Sequence, residues 1–113
     1  MEATVTPAAA LADLLDVSAA LRSVAIFDAS GAVLAEIGGL GESAFGVLTA
    51  ADDAARLLGR PPIQQCELGL SDAGVFAVRE QGLAAVAVTD PDATAGLIFY
   101  DLRQALRAIG GGA

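Results

Sequence analysis

The chain contains no histidine, which removes the Ser-His-Asp triad, the imidazole base and the His-bearing metal site together. Its most conspicuous carboxylate pair, Asp52 and Asp53, stands on a helical segment. Adjacent helical positions diverge by about 100°, so the two cannot face one another as an acid–base pair. Asp52 instead precedes Arg56 by four residues, the spacing of an ion pair on a solvated face, worth roughly a few tenths of a kcal/mol. Gly39-Leu-Gly41-Glu-Ser-Ala44 matches the dinucleotide fingerprint G-x-G-x-x-G/A, lies between a strand and a helix, and has Glu67 downstream. That chemistry seats a pyrophosphate at a helix N-terminus and needs parallel βαβ units. Here the preceding strand belongs to a hairpin. No catalytic, cofactor-binding or metal-ligating constellation survives, and the expectation is a protein that is not an enzyme.

Other groups suit contact rather than catalysis. Cys66 is the single thiol; it reads as a small buried hydrophobe, or as a residue near its own mate if its strand lies on a two-fold axis. Tyr100, Arg103 and Arg107 fall at i, i+3 and i+7 of a helix. They form either a docking spot on an acidic protein or an exposed face where the tyrosine covers arginine stems.

The totals agree with a contact role. At 113 residues the chain fits one domain, expected over residues 1–109 with a frayed tail at 110–113. Apolar residues make up 55% and aromatics only 4%, so the core should be small and branched aliphatics packed closely. A net charge of −8 without a single lysine argues against nucleic acid and anionic membrane surfaces as partners. The apolar stretch from Leu11 to Phe27 is broken by Asp13, Asp16 and Arg22, so no bilayer span is expected. One cysteine and an N-terminus lacking basic residues fit a cytoplasmic protein.

The elements that position these residues are readable. Thr6-Pro7 supplies an N-cap and a first-turn proline for a helix over about residues 7–22. Val24–Phe27 and Val33–Ile37 are short strands joined by Asp28-Ala-Ser-Gly31, a tight turn. Ser43 is placed to cap a second helix that runs to Leu58 and stops at Gly59 and Pro61-Pro62. Strands at Ile63–Leu70, Val75–Arg79 and Leu83–Val88 follow with hairpin-length connections, then a helix over about 93–109. On that last helix Ala95, Ile98, Leu102, Ala105, Leu106 and Ile109 form the buried stripe.

Strand polarity orders the sheet. Val24–Phe27 and Leu83–Val88 are apolar on both faces and should be central. Ile63–Leu70 is the most polar and should be an edge. The order 2-1-5-4-3 satisfies both statements and keeps every hairpin. An open edge invites a second chain, and a two-fold dimer is the commonest solution. On this reading Leu68→Pro would remove a ladder donor and weaken dimerisation.

Three segments carry a resemblance. Residues Leu21 to Ala35 are an apolar strand, an Asp-x-x-Gly turn and a second apolar strand; Ala50 to Gly59 is an alanine-rich helix; Leu83 to Arg103 is a strand, a loop and a terminal helix. Together they resemble the roadblock / dynein light-chain family, most closely its bacterial members that regulate Ras-like GTPases. Where the family loop often carries asparagine, this chain has Thr94. The resemblance implies an α+β sandwich: a five-stranded antiparallel sheet, the second helix on one face and the two terminal helices on the other. It also implies a homodimer formed through the third strand and second helix, with a small Ras-like GTPase docking on the surface they create. In this sequence that interface comprises Phe45, Leu48, Ala51, Asp52, Ala55, Ile63, Gln64, Gln65, Cys66, Glu67 and Leu68. Candidate docking residues are Thr49, Asp53, Arg56, Tyr100, Arg103 and Arg107. The alanines of the second helix either let it approach the sheet or let two such helices meet across a dimer axis. The alternative function is a small-molecule-binding sensor of profilin-like architecture, with a pocket between sheet and helices.

Overall fold

A computed structural model describes residues 5–110 of the chain. Helix α1 (Pro7–Val17) leads into strands β1 (Leu21–Asp28) and β2 (Val33–Ile37). A 3-10 turn (Glu42–Phe45) precedes helix α2 (Gly46–Leu57). Strands β3 (Gln65–Gly69), β4 (Gly74–Glu80) and β5 (Leu83–Thr89) then lead to helix α3 (Ala95–Gly110). The sheet runs β2-β1-β5-β4-β3, with every neighbouring pair antiparallel. The order follows from polarity as expected: β1 is buried continuously from Ser23 to Phe27 and β5 from Ala84 to Ala87, whereas β3 is exposed along most of its length.

Because strand side chains alternate, the sheet feeds two cores. Val24, Ile26, Phe76, Val78, Ala85 and Ala87 point to the face covered by α1 and α3, against Leu11, Leu14, Ile98, Leu102 and Leu106. Ala25, Phe27, Ala77, Ala84 and Val86 point to the other face, against Leu48. Phe76 meets Phe99 edge-on at 5.2 Å between centroids, and Phe27 meets Phe45 at 5.3 Å. One helix therefore covers one face and two cover the other.

The local chemistry explains the connections. Thr6 Oγ1 accepts from Ala9 N–H at 3.1 Å and opens α1. In the β1–β2 turn, Asp28 Oδ1 accepts from the backbone N–H of Ser30 and Ala32 and from the Ser30 hydroxyl, an Asx turn. The β4–β5 turn is Gln81-Gly82, both with positive φ (54° and 77°), the backbone that a two-residue hairpin of primed type requires.

Four expectations need correction. The first helix ends at Val17, not near residue 22, because Leu21 and Arg22 already belong to β1. Ser43 does not cap the second helix: it lies inside the 3-10 turn, whose N-cap is Gly41, and no side chain caps α2. Gly110, expected in the frayed tail, is the last residue of α3, and residues 111–113 lie outside the described residues. Asp52 does not pair with Arg56; Arg56 binds Asp53 at 2.8 Å, and Asp52 turns inward to a distant partner.

Candidate protein-interaction site

That distant partner is Arg79 of β4. Its guanidinium donates to both Asp52 carboxylate oxygens at 2.8 Å, a bidentate pair. Asp52 Oδ1 also accepts from Ile63 N–H at 3.1 Å, and Arg79 donates to Ile63 C=O at 3.0 Å. One carboxylate thus ties α2, the segment leading into β3, and β4 into a unit. The Arg79 hydrogen bonds hold the Asp52 carboxyl below the usual carboxylate range; burial opposes them and the Ile63 N–H assists them.

The sign of the pH dependence follows. A carboxyl whose pKa is lower folded than unfolded (about 3.9 unfolded) contributes stability that is complete above the unfolded value. The contribution is lost as pH falls through the folded value. Asp52→Asn should lower stability at pH 7 by about 2 kcal/mol, because Arg79 is left half-buried with a weakened partner. The variant should also show a shallower loss of stability than the parent below about pH 4. Urea unfolding at pH 7 and pH 3 measures both.

The predicted interface residues divide by burial. Leu48 is 0% exposed and Ala55 7%, so the protomer's own core consumes them, and Asp52 is consumed by Arg79. Those three leave the interface set, for the physical reason that α2 has one inward stripe and they lie on it. Phe45, Ala51, Ile63 and Cys66 are half-buried, while Gln64, Gln65, Glu67 and Leu68 are open. One strip of the solvent side of α2 is apolar: Ala50 and Ala54 are exposed, Leu57 is 88% exposed and Leu58 beyond it 77%.

On β3, register decides which groups are free. Arg79 N–H donates to Gln64 C=O and Leu70 N–H to Ala73 C=O. In an antiparallel pair the bonded positions alternate, so Cys66 and Leu68 aim their backbone groups at β4, and Gln65, Glu67 and Gly69 aim theirs outward. Leu68→Pro would therefore break the protomer's own ladder; Glu67→Pro is the change that spoils the open edge alone. Cys66 and Leu68 point their side chains to the α2 face, in register with Ala77 and Val75. Burial pushes the Cys66 thiol up, with Arg79 opposing. A neutral thiol at physiological pH makes a poor nucleophile.

The docking candidates separate as well. Thr49, Asp53 and Arg56 share one exposed strip of α2. Tyr100, Arg103 and Arg107 lie on α3, across the sheet. Glu80 of β4 holds Arg107 at 2.8 Å and Arg103 at 3.6 Å, Arg103 also donates to Gln65, and Tyr100 accepts from Gln104 Nε2 at 2.8 Å. The two sets do not form one site.

Three open clefts have volumes of about 220, 270 and 280 Å³, each under the roughly 300 Å³ at which small-molecule sites begin. The fingerprint glycines Gly39 and Gly41 both have positive φ (72°), but the strand before them is an antiparallel edge and α2 begins beyond Ala44. Among the described residues no group of three or more His, Cys, Asp or Glu side chains gathers to hold a metal. No helix among them is long and apolar enough to cross a membrane.

Solved structures share this architecture. A roadblock/LC7 domain from Streptomyces avermitilis superposes with a TM-score of 0.72 at 16% identity, over 87% of this chain and 89% of that one. The gliding protein MglB from Thermus thermophilus gives 0.70 at 22% identity, over 92% and 85%. Profilin IB from Acanthamoeba castellanii gives 0.61 at 18% identity, over 84% and 90%. No family model and no curated protein matches the sequence. The chain thus has the roadblock fold, in the layered arrangement that profilin also adopts.

Proposed function

We propose that this protein is a homodimeric, non-catalytic adaptor that binds and regulates a small Ras-like GTPase in the cytoplasm. The observation that carries the reading is an open five-residue edge strand beside a helix with exposed leucines, on a fold shared with roadblock domains. The roadblock resemblance of the sequence supplies the partner class.

The edge chemistry disfavours one register for the dimer, and a neighbouring one is proposed. Pairing β3 with its mate about Glu67 would set two carboxylates directly opposite, which is unfavourable. Pairing about Cys66 sets each Glu67 opposite the partner's Gln65 as hydrogen-bonded pairs. Cys66 then faces the partner's Cys66 as a non-bonded pair, with Cα atoms about 4.5 Å apart. The two α2 helices fall on the same face of the joined sheet, where Ala50, Ala54 and Leu57 can meet their counterparts.

Oxidation with copper phenanthroline should convert most of the protein to a cross-linked dimer on a non-reducing gel, and Cys66→Ser should abolish the band. A monomer alone, at concentrations where sedimentation shows dimer, would rule out this register. The exposed strip of Thr49, Asp53 and Arg56 is then available to the GTPase. Binding of a purified Ras-like GTPase, stronger in one nucleotide state and lost in Arg56→Glu, tests the partner.

A further inference from the structure

We propose that the groove between α1 and α3 is a second docking surface, and that it takes a basic amphipathic helix from a protein partner. The inference goes beyond the GTPase reading and does not rest on it, because α1 and α3 cover the sheet face opposite α2.

The groove is lined by Leu14 and Val17 of α1 and by Tyr100 and Ala105 of α3. It continues past Val17 into a second cleft bordered by Leu97. Val17 is 71% exposed, Leu97 62% and Tyr100 59%; the groove itself is mainly apolar, while Ser18, Asp92 and Thr94 join Val17 and Leu97 around the adjoining cleft. Its charged border is of one sign. Asp13 and Asp101 line the groove and Asp92 the adjoining cleft, and none of the three is in an ion pair among the described residues. Five of the six arginines, Arg22, Arg56, Arg79, Arg103 and Arg107, are engaged with carboxylates elsewhere, and no basic residue lines either cleft.

An apolar floor with an acidic rim is complementary to an apolar ridge flanked by lysine or arginine. The occupant should be helical. No sheet edge borders the groove, so an extended peptide would find no ladder to join, whereas a helix satisfies its own backbone and packs into the furrow between two others. Polyproline recognition relies on aromatic-lined grooves, and Tyr100 is the one aromatic lining this one. A second copy of the chain would press Asp13, Asp92 and Asp101 against their equals, and an anionic lipid surface would be repelled by the same groups.

The probe is a synthetic helix of 16 residues, matching the length of α3, with leucine at i, i+3, i+4 and i+7 and lysine elsewhere. The control has the same composition scrambled to break the apolar stripe. Titration into the isotope-labelled full chain should move the amides of Val17, Leu97 and Tyr100 saturably, with the scrambled peptide at least about tenfold weaker. Val17→Asp and Leu97→Asp should each weaken binding at least about tenfold. Both sites are exposed, and the second lies in the first turn of α3, where the helix dipole favours an acid. Equal affinity for the two peptides, shifts centred on β3 and α2, no shifts at all, or unchanged binding by both variants would each overturn the proposal.

Discussion

Leu48→Ala is expected to lower the free energy of unfolding by about 3 kcal/mol and to abolish self-association at micromolar concentration. Leu48 is 0% exposed and is the one large side chain that α2 commits to the core; its companion in burial is Ala55. Around it stand Ala25, Ala77 and Ala84, with Phe27 and Val86. Alanines have no side-chain length with which to close the space left behind, so the cavity term stays near its full value rather than relaxing away. Loss of that anchor also frees the helix whose outer face forms half of the proposed interface. Leu57→Ala is the matched control for the protomer's own fold: made in the Glu67→Pro background, where the proposed interface that includes Leu57 is removed, it should stay within about 0.5 kcal/mol of that background at 88% exposure. Urea titration followed by circular dichroism measures both, and a Leu48→Ala loss under about 1 kcal/mol, well short of the cavity range, would mean that α2 is held by something other than its core contact.

Glu67→Pro should turn the proposed dimer into a monomer that is still folded, raising the dissociation constant at least about 100-fold. The reason lies in the alternation of β3. The Glu67 N–H points away from β4, so its removal leaves the protomer's ladder intact, and the proline ring obstructs an incoming strand. In a two-fold dimer each substitution acts twice, once on each copy. Leu68→Pro, one position along, removes a bond to β4 and should unfold the edge of the protomer itself. Sedimentation equilibrium for association and thermal melting for the fold separate the two variants. A Glu67→Pro protein that remains dimeric would move the interface off β3.

Several features are legible in the sequence for identifiable reasons. The continuous apolar runs of β1 and β5 and the polar run of β3 report how many faces each strand buries, and that is enough to order the sheet. The buried stripe of α3 follows from helical spacing, with Ile98, Leu102, Ala105 and Leu106 at its centre. The first helix looks too long in sequence because Leu21 continues the helical period by coincidence while serving β1. The inward and outward positions of α2 are not separable by residue type, since an alanine-rich helix looks much the same from either side. Hence Leu48 and Ala55, expected at the interface, are core. The Asp52–Arg79 pair spans 27 residues, and no spacing rule reaches that far. The available signal is local, Arg56 four residues on, and the structure gives Arg56 to Asp53 instead.

The proposed function requires a GTPase to meet the surface that β3 and α2 create, and affinity capture tests this most directly. The wild-type chain and Glu67→Pro are immobilised and exposed to lysate of the native host, once with a non-hydrolysable GTP analogue and once with GDP. The wild type should retain one small Ras-like GTPase, more strongly in one nucleotide state, and Glu67→Pro should retain much less. Recovery of no small GTPase in either state would contradict the proposed function.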